Sequence, residues 1–333
     1  MRAMQLTGPG EQGLVDLPAP EPGRGEMLLS MRAASVNFRD FMVALGKYQG
    51  TTFPVVPLSD GVGVVEAIGP GVTLFKNGDR VCPIFTPLWL SGPSPASVKL
   101  PALGGEIDGV LRQKMVVNEF SVVAAPAHLS DLEAATLPCA GLTAWSAVVA
   151  YGQVKPGDTV LIEGTGGVAL FALQFAKLAG ARVALISSSD EKLERARTLG
   201  ADITLNYTNT PEWGARIAAL TGGVDLVVET VGASTLAQAA AATSKGARIA
   251  QIGLLSGVGA TLPLQFFIPR GINLQGILVG SRDDFANMAR AISQHQLKPV
   301  TSETFEMADL KSALAQVAPG ANHFGKITLA IPS

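Results

Sequence analysis

One short stretch limits most strongly what this chain can fold into. Residues 159 to 169 read Thr-Val-Leu-Ile-Glu-Gly-Thr-Gly-Gly-Val-Ala. Val160–Ile162 is an apolar run of the kind that forms a parallel strand buried on both faces. Gly164, Gly166 and Ala169 fit the pattern G-x-G-x-x-G/A, with Thr165, Gly167 and Val168 between them. Leu170, Leu173, Phe175, Ala176 and Leu178 then support a helix that Gly180 stops, and Arg182–Ile186 is a second strand. Strand, glycine turn, helix and strand within about 30 residues is the context in which this motif binds a dinucleotide. Its glycines let backbone approach a pyrophosphate, and the helix N-terminus offers free N–H groups and the positive end of its dipole.

Alternation continues after this unit. Strands are predicted at Ile203–Leu205, Leu226–Glu229, Arg248–Ile252 and Leu274–Val279. Helices are predicted near Pro211–Leu220, with Thr210 as cap, at Ser234–Ala242 and at Asp284–Gln294. Six strands alternating with helices give an α/β, doubly wound six-stranded parallel sheet. Residues 1–128 differ: they are β-rich, with strands at Glu26–Arg32 and Gly61–Ile68 and another opened by Gly78-Asp79-Arg80-Val81. Helical periodicity there is confined to Arg39–Leu45. Residues 86–109 form a long Pro/Gly/Ser-rich stretch, in which Trp89 either lines a pocket or pins its own loop. Ser130-Asp131-Leu132-Glu133 is a capping box, and Gly141–Tyr151 is helical. Thr301–Ile331 reads strand, helix, strand and has no place in the parallel sheet, so it is expected to return to the N-terminal β domain. The predicted division is 1–128 with 283–333, and 129–282.

Composition excludes several classes. No run of 18 apolar residues exists, so no membrane span is expected. A net charge of −2 with no basic stripe argues against nucleic acid as partner. The first residues lack the apolar core of a signal peptide. With only Cys82 and Cys139, a disulfide scaffold is excluded and a reduced, cytoplasmic setting is expected.

The end of the second parallel strand bears on the cofactor. A carboxylate there would accept from a ribose 2′-OH and repel a 2′-phosphate. The position is Ser187, 23 residues after Gly164, and Ser188, Ser189 and Lys192 follow. Hydroxyl donors, a helix N-terminus and a lysine suit a phosphate, so NADPH is expected over NADH. A plainer role for Ser188, capping the next helix with Glu191 closing the box, is compatible with this.

Taken together, Ser35–Asp40, Gly78–Val81, Leu137–Trp145, the glycine turn and His323–Lys326 make the chain resemble the medium-chain dehydrogenase/reductase superfamily, in its zinc-independent, quinone oxidoreductase-like and alcohol dehydrogenase-like branch. The resemblance covers essentially the whole chain. It implies a Rossmann domain inserted in a β-rich, GroES-like catalytic domain, and a homodimer formed through edge pairing of the sixth strand. It also implies further cofactor contacts: Thr143 near the nicotinamide amide, Tyr207 near the adenosine phosphate, Ile252, Gly253 and Leu254 after the fifth strand, and Val279 and Ser281 after the sixth. Phe324 and Gly325 would close over the cofactor, with Lys326 donating to a phosphate.

Departures from the family pattern direct the chemistry. Zinc-using members carry a cysteine where this chain has Asn37, and a Gly-His-Glu segment where it has Leu58-Ser59-Asp60; only Cys139 matches a ligand place. One ligand of three cannot hold a catalytic zinc, so no metal is expected. Without a Lewis acid the expected reaction is hydride delivery from NADPH to a small hydrophobic acceptor that is already electrophilic, a quinone or an α,β-unsaturated carbonyl. Asn37, Arg39 and Tyr48 are the candidate catalytic residues, as donors to the developing oxygen charge. Asp40 reads as a partner of Arg39 or a helix cap. The alternatives are a zinc-free alcohol dehydrogenase or ketone reductase, and a non-catalytic, crystallin-like NADPH-binding protein.

Overall fold

A computed structural model describes residues 1–94, 99–257 and 259–332. Part of the 86–109 stretch, at 95–98, lies outside them. The N-terminal strands are β1 (Arg2–Gly8), β2 (Glu11–Asp16), β3 (Glu26–Val36), β4 (Asp60–Ile68), β5 (Arg80–Pro83), β6 (Lys114–Asn118) and β7 (Val122–Ala124), with helix α1 (Phe38–Ala44) after β3 and α2 (Asp131–Ala134) after β7. A helical segment follows in which one α-turn, α3 (Leu142–Trp145), lies between wider π-turns at Leu137–Gly141 and Ser146–Tyr151. Then come β8 (Thr159–Glu163), α4 (Gly167–Leu178), β9 (Arg182–Ser187), α5 (Asp190–Thr198), β10 (Ile203–Asn206), α6 (Trp213–Thr221), β11 (Val224–Glu229), α7 (Leu236–Ala242), β12 (Thr243–Gln251), α8 (Leu264–Arg270) and β13 (Asn273–Gly276). The chain ends with α9 (Arg282–His295), β14 (Thr301–Glu306), α10 (Leu310–Ala315) and β15 (Lys326–Ala330).

These elements form two compact units, Met1–Leu142 with Gly280–Ser333, and Thr143–Val279. Both boundaries differ from the sequence division at 128 and 283, for local reasons. Helix α2 packs on β3 and β4 and so stays with the β-rich unit. Arg282 donates its backbone N–H to Trp89 O and its Nε to Val122 O, which ties the start of α9 to that unit too.

In the inserted unit all six strands are parallel, in the order β10-β9-β8-β11-β12-β13. The order reverses between β8 and β11, which is where such sheets bind ligands, beyond the carboxyl ends of the strands. Residues of β8 are buried throughout and β9 is buried from Val183 to Ser187, as a sheet covered on both faces requires. In the β-rich unit the sheet order is β14-β15-β3-β4-β5-β7, with β6 also on β3. The eleven residues of β3 serve two neighbours on one edge: Glu26–Ser30 pair with β6 and Ala33–Val36 with β15. The C-terminal strand, helix and strand thus return to the N-terminal sheet, as expected. No helix among the described residues is long and apolar enough to cross a membrane.

Three local expectations are corrected. The helix expected from Pro211 starts at Trp213 with Glu212 before it, because Thr210 N–H closes a turn on Tyr207 O instead of opening the helix. The sixth parallel strand stops at Gly276, and Val279 has a left-handed backbone (φ 46°) that a continued strand would not allow. The cap of α5 is Ser189, which accepts from Lys192 N–H, and not Ser188. Trp89 donates its Nε1 to Gly92 O at 2.9 Å and so pins its own loop.

Gly325, just before β15, has φ 86°, and a Cβ there would lie 2.3 Å from Val300 O. Gly325→Ala is therefore expected to destabilise the β-rich unit by about 1–3 kcal/mol, seen as a lower melting temperature. An unchanged melting curve would show that the turn relaxes freely.

Candidate active site

The glycine turn has the geometry a pyrophosphate needs. Gly164 takes φ 80°, and a Cβ built on it meets nothing nearer than Thr230 Oγ1 at 3.8 Å, so the space above the turn is open. Gly166 precedes α4 in an extended conformation and no side chain caps the helix among the described residues. The first N–H groups of this twelve-residue helix are thus left for an external acceptor. Gly253 is required for a different reason: a Cβ there would lie 2.1 Å from the Thr230 carbonyl carbon, since the loops after β11 and β12 touch. An open glycine cradle at an uncapped helix end fits a dinucleotide.

At the end of β9, Ser187 is buried and its Oγ accepts from Ser189 N–H at 3.4 Å. Asp190, the nearest carboxylate in sequence, is held away by Asn206, whose Nδ2 donates to its Oδ1 at 2.9 Å. Burial, then the charge of Arg195, lower the pKa of Lys192, whose backbone N–H donates to Ser189 Oγ. Tyr207 donates its backbone N–H to Ser187 O and leaves its side chain exposed. Ile252 and Gly253 both donate backbone N–H groups to Glu229 O, and Leu254 is exposed beyond them. Thr143, Thr165 and Val279 are buried in the same unit. Ser281 belongs to the other unit, where it caps α9 by accepting from Asp284 N–H. Phe324 is buried in that unit as well.

A buried acidic pair at the point where strand order reverses has no counterpart in the sequence reading. Glu163 ends β8 and Glu229 ends β11, and neither is exposed at all. Glu229 is fully satisfied: Oε1 accepts from Val231 N–H, Gly232 N–H and Thr235 Oγ1, and Oε2 accepts from Gln251 Nε2. Glu163 has no such set, and burial, followed by the Glu229 carboxylate beside it, pushes its pKa well above the ordinary value.

In the β-rich unit the sheet register builds a second cluster. Ile327 pairs with Val36 and Ser35 pairs with Asp60, so β15, β3 and β4 end side by side, with Lys326, Asn37 and Asp60 at their tips. Lys326 Nζ donates to Val36 O at 2.7 Å, Asn37 Oδ1 at 2.6 Å and Asp60 Oδ2 at 3.2 Å. Its protons are all used here, so the phosphate contact implied for Lys326 has no donor left. Asp60 Oδ2 also accepts from Asn37 Nδ2 at 2.9 Å and Ser35 Oγ at 3.1 Å, while its Oδ1 is buried without a partner. Burial raises the Asp60 pKa, and Lys326 opposes that most strongly.

Of the candidate catalytic residues, Asn37 keeps a usable donor: one Nδ2 proton goes to Asp60, and the second meets no acceptor among the described residues. Arg39 is a buried clamp. Its Nη1 donates to Asp40 Oδ1 and Leu103 O, and its guanidinium lies 4.7 Å from the Tyr48 ring and 5.1 Å from that of Phe85. Asp40 pairs with Arg39 and also caps α1 by accepting from Asn37 N–H. In the sequence Asp60 stands only beside the departed ligand place at Ser59, and Lys326 only as an implied phosphate donor. A lysine opening an apolar strand and an aspartate opening another were the available signals.

These residues do not suit a catalytic zinc. The three ligand places hold a carboxamide, the Ser59 hydroxyl and Cys139, whose thiol is pushed up in pKa by desolvation and by Asp60. A fixed ammonium lies among them, and zinc demands a thiolate, imidazole or carboxylate set. No group of three or more His, Cys, Asp or Glu among the described residues could hold a metal ion.

An open dinucleotide cradle in a 3-2-1-4-5-6 sheet, inserted in a β-rich unit that closes on its own C-terminus, defines a two-domain nicotinamide-type oxidoreductase architecture. Residues 23–127 match the alcohol dehydrogenase GroES-like domain, and residues 167–294 match the zinc-binding dehydrogenase domain. A zinc-type alcohol dehydrogenase-like protein of Schizosaccharomyces pombe is 42% identical over 316 residues, 92% of this chain and 91% of its own. An acryloyl-coenzyme A reductase of Sulfurisphaera tokodaii is 26% identical, covering 98% of this chain and 99% of its own. A solved NAD-dependent alcohol dehydrogenase superposes with a TM-score of 0.91 at 34% identity over the whole of both chains. The chain belongs to the medium-chain dehydrogenase/reductase superfamily of oxidoreductases.

The acidic pair yields a prediction with a defined sign. Below about 4.5, the ordinary glutamate pKa, folded and unfolded Glu163 both carry the proton. As pH rises the unfolded chain releases it first, and the folded state loses stability up to its own higher pKa. Glu163→Gln is expected to stabilise the protein at neutral pH and to flatten the fall in melting temperature as pH rises above the ordinary glutamate pKa of 4.5. A parallel pH profile in the variant would sink this reading.

Proposed function

We propose that this protein is a metal-independent, NADPH-dependent reductase that delivers hydride to a quinone or an α,β-unsaturated carbonyl. The observation that carries this reading is the Lys326–Asp60–Asn37 cluster, in which Asn37, at one of the places where zinc-using members keep a ligand, is held by a lysine–aspartate pair. The nicotinamide, when bound, supplies the hydride. A conjugated acceptor brings its own electrophilic carbon, so the protein has to orient it and stabilise the oxygen on which charge develops. The second Nδ2 proton of Asn37 is the donor for that oxygen. The Tyr48 ring, held by Arg39, provides a flat wall beside it. The proton that completes the reduction comes from solvent. The name of the acryloyl-coenzyme A reductase, whose acyl group is conjugated, agrees with such an acceptor.

Preference for NADPH rests on Ser187, Ser188 and Ser189 with Lys192 at the end of β9, and on Asp190 being held by Asn206. The relatives' names, one of them zinc-type, favour alcohol dehydrogenase chemistry; with the donor set of this site, the second reading is a zinc-free alcohol dehydrogenase or ketone reductase. We also propose a homodimer through the exposed edge strand β13, where Leu274 is uncovered, with Leu278 exposed just beyond its end.

The test is oxidation of NADPH and NADH with quinones, enals and simple aldehydes, with chelator present. Chelator-resistant, NADPH-linked turnover of quinones or enals is expected. Preference for simple aldehydes, or loss of activity in chelator, would favour the alcohol dehydrogenase reading, and tight NADPH binding without turnover would point to a non-catalytic role. In the same assay Ser187→Asp is expected to shift preference towards NADH by about tenfold or more, because a carboxylate repels the 2′-phosphate and accepts from the 2′-OH. An unchanged ratio would remove Ser187 from the argument.

A further inference from the structure

We propose that Lys326 and Asp60 are positioning residues that set the Asn37 carboxamide for the reaction, so that a lysine–aspartate pair performs the orienting task of a metal centre. The inference rests on the reductase reading above and adds how its key donor is held. An asparagine amide is a poor donor when it is free: it rotates about its terminal torsion, and its oxygen and nitrogen can exchange places. Here both ends are fixed. Oδ1 accepts from the Lys326 ammonium at 2.6 Å, and one Nδ2 proton is given to Asp60 Oδ2 at 2.9 Å. A flipped amide would place N–H against an ammonium and oxygen against a carboxylate, both repulsive. The flip is therefore excluded by charge, and the second Nδ2 proton has one direction.

The clamp is also electrically directed. An ammonium on the carbonyl oxygen draws electron density out of the amide and makes its N–H groups stronger donors. That positive charge lies on a side chain only 3% exposed, paired with a fully buried carboxylate, so solvent does little to screen it. Ser35 Oγ, which also donates to Ala135 O, holds Asp60 Oδ2 from the strand side. Asp40 bonds the Asn37 backbone N–H, so the residue is fixed from main chain to amide tip.

The experiment combines turnover, a double-mutant cycle and one spectroscopic signal. In Lys326→Met, kcat for the enal or quinone is expected to fall about 10²-fold, the scale of one misdirected donor, with KM changed less than about threefold. In an Asn37→Ala background the same substitution is expected to cost nothing further, because the group it directs is gone. Equal losses in both backgrounds would overturn the proposal, since Lys326 would then act without Asn37. Lys326→Arg is expected to recover part of kcat. Should Lys326→Met fail to fold because Asp60 is left unpaired, the charge-neutral pair Lys326→Met with Asp60→Asn carries the same comparison. Independently of activity, ¹⁵N-asparagine labelling reads the Asn37 side-chain NH₂ pair, assigned by its loss in Asn37→Ala. Signals that exchange slowly with solvent are expected in the wild type, and fast-exchanging ones in Lys326→Met or the charge-neutral pair. Signals that do not change would also overturn the proposal. A wild type that reduces no quinone or enal would end the reductase reading alone, with the labelling result still deciding whether the clamp exists.

Discussion

The β-rich unit depends on one buried ion pair. Lys326 and Asp60 bring opposite charges to the tips of two strands that are not neighbours, on either side of β3. A buried charge without a partner costs several kcal/mol, and removing one member of such a pair costs about 3–5 kcal/mol. The strand that carries Lys326 arrives from the far end of the chain, and its ammonium also holds Val36 O at the end of β3. The pair therefore couples closure of a discontinuous unit to the arrangement of the strand tips around Asn37. Register does the rest: with Ile327 opposite Val36 and Ser35 opposite Asp60, a slip of one residue would turn each of these groups to the other face of the sheet.

In the inserted unit the constraint is of another kind. A parallel sheet covered on both faces leaves its polar strand ends in one place, beyond the carboxyl edge. Glu229 is tolerated there because it accepts from four donors, two of them the backbone N–H groups that follow it. Its satisfaction fixes the turn after β11, and Thr230 in that turn donates to Glu163 O under the glycine cradle. Glu163 sits next to a carboxylate whose acceptor capacity is taken, and burial together with that neighbour raises its pKa well above the ordinary value. The cradle thus rests on two buried carboxyls, one with a full set of hydrogen-bond donors and one without.

Much of this architecture was legible in the residues. The glycine turn and the alternation after it indicated a six-stranded parallel sheet, and Thr301–Ile331 was recognisable as a return to the first domain because it had no place in that sheet. Boundaries were less legible. Thr210 looks like a helix cap, but the turn it closes on Tyr207 lies outside any pattern of apolar spacing. Ser188 and Ser189 are equally good caps on paper, and only backbone geometry selects Ser189. The site was legible where it depends on local sequence and obscure where it depends on register. Asn37 stood out because its neighbours form a motif. Its partners lie 23 and 289 residues away, and no local pattern connects them. Glu163 was hidden for the same reason, since an acid ending a strand is unremarkable until a second acid is found on the strand beside it.

The chemistry open to such a site follows from what its charges can reach. A metal ion placed on a carbonyl oxygen contributes several kcal/mol by taking up charge directly. The Lys326 ammonium cannot do this, because its three protons are already committed to Val36, Asn37 and Asp60. Its influence passes through the carboxamide, and a single well-aimed donor accounts for about 10²–10³ in rate. On the reductase reading this gap has to be closed by the acceptor. A quinone or an enone spreads the incoming charge over a conjugated system before any donor touches it, whereas an isolated ketone places all of it on one oxygen. On that reading a donor held by an ion pair is matched to the first kind of acceptor, and the missing zinc ligands and a conjugated substrate would be two sides of the same constraint.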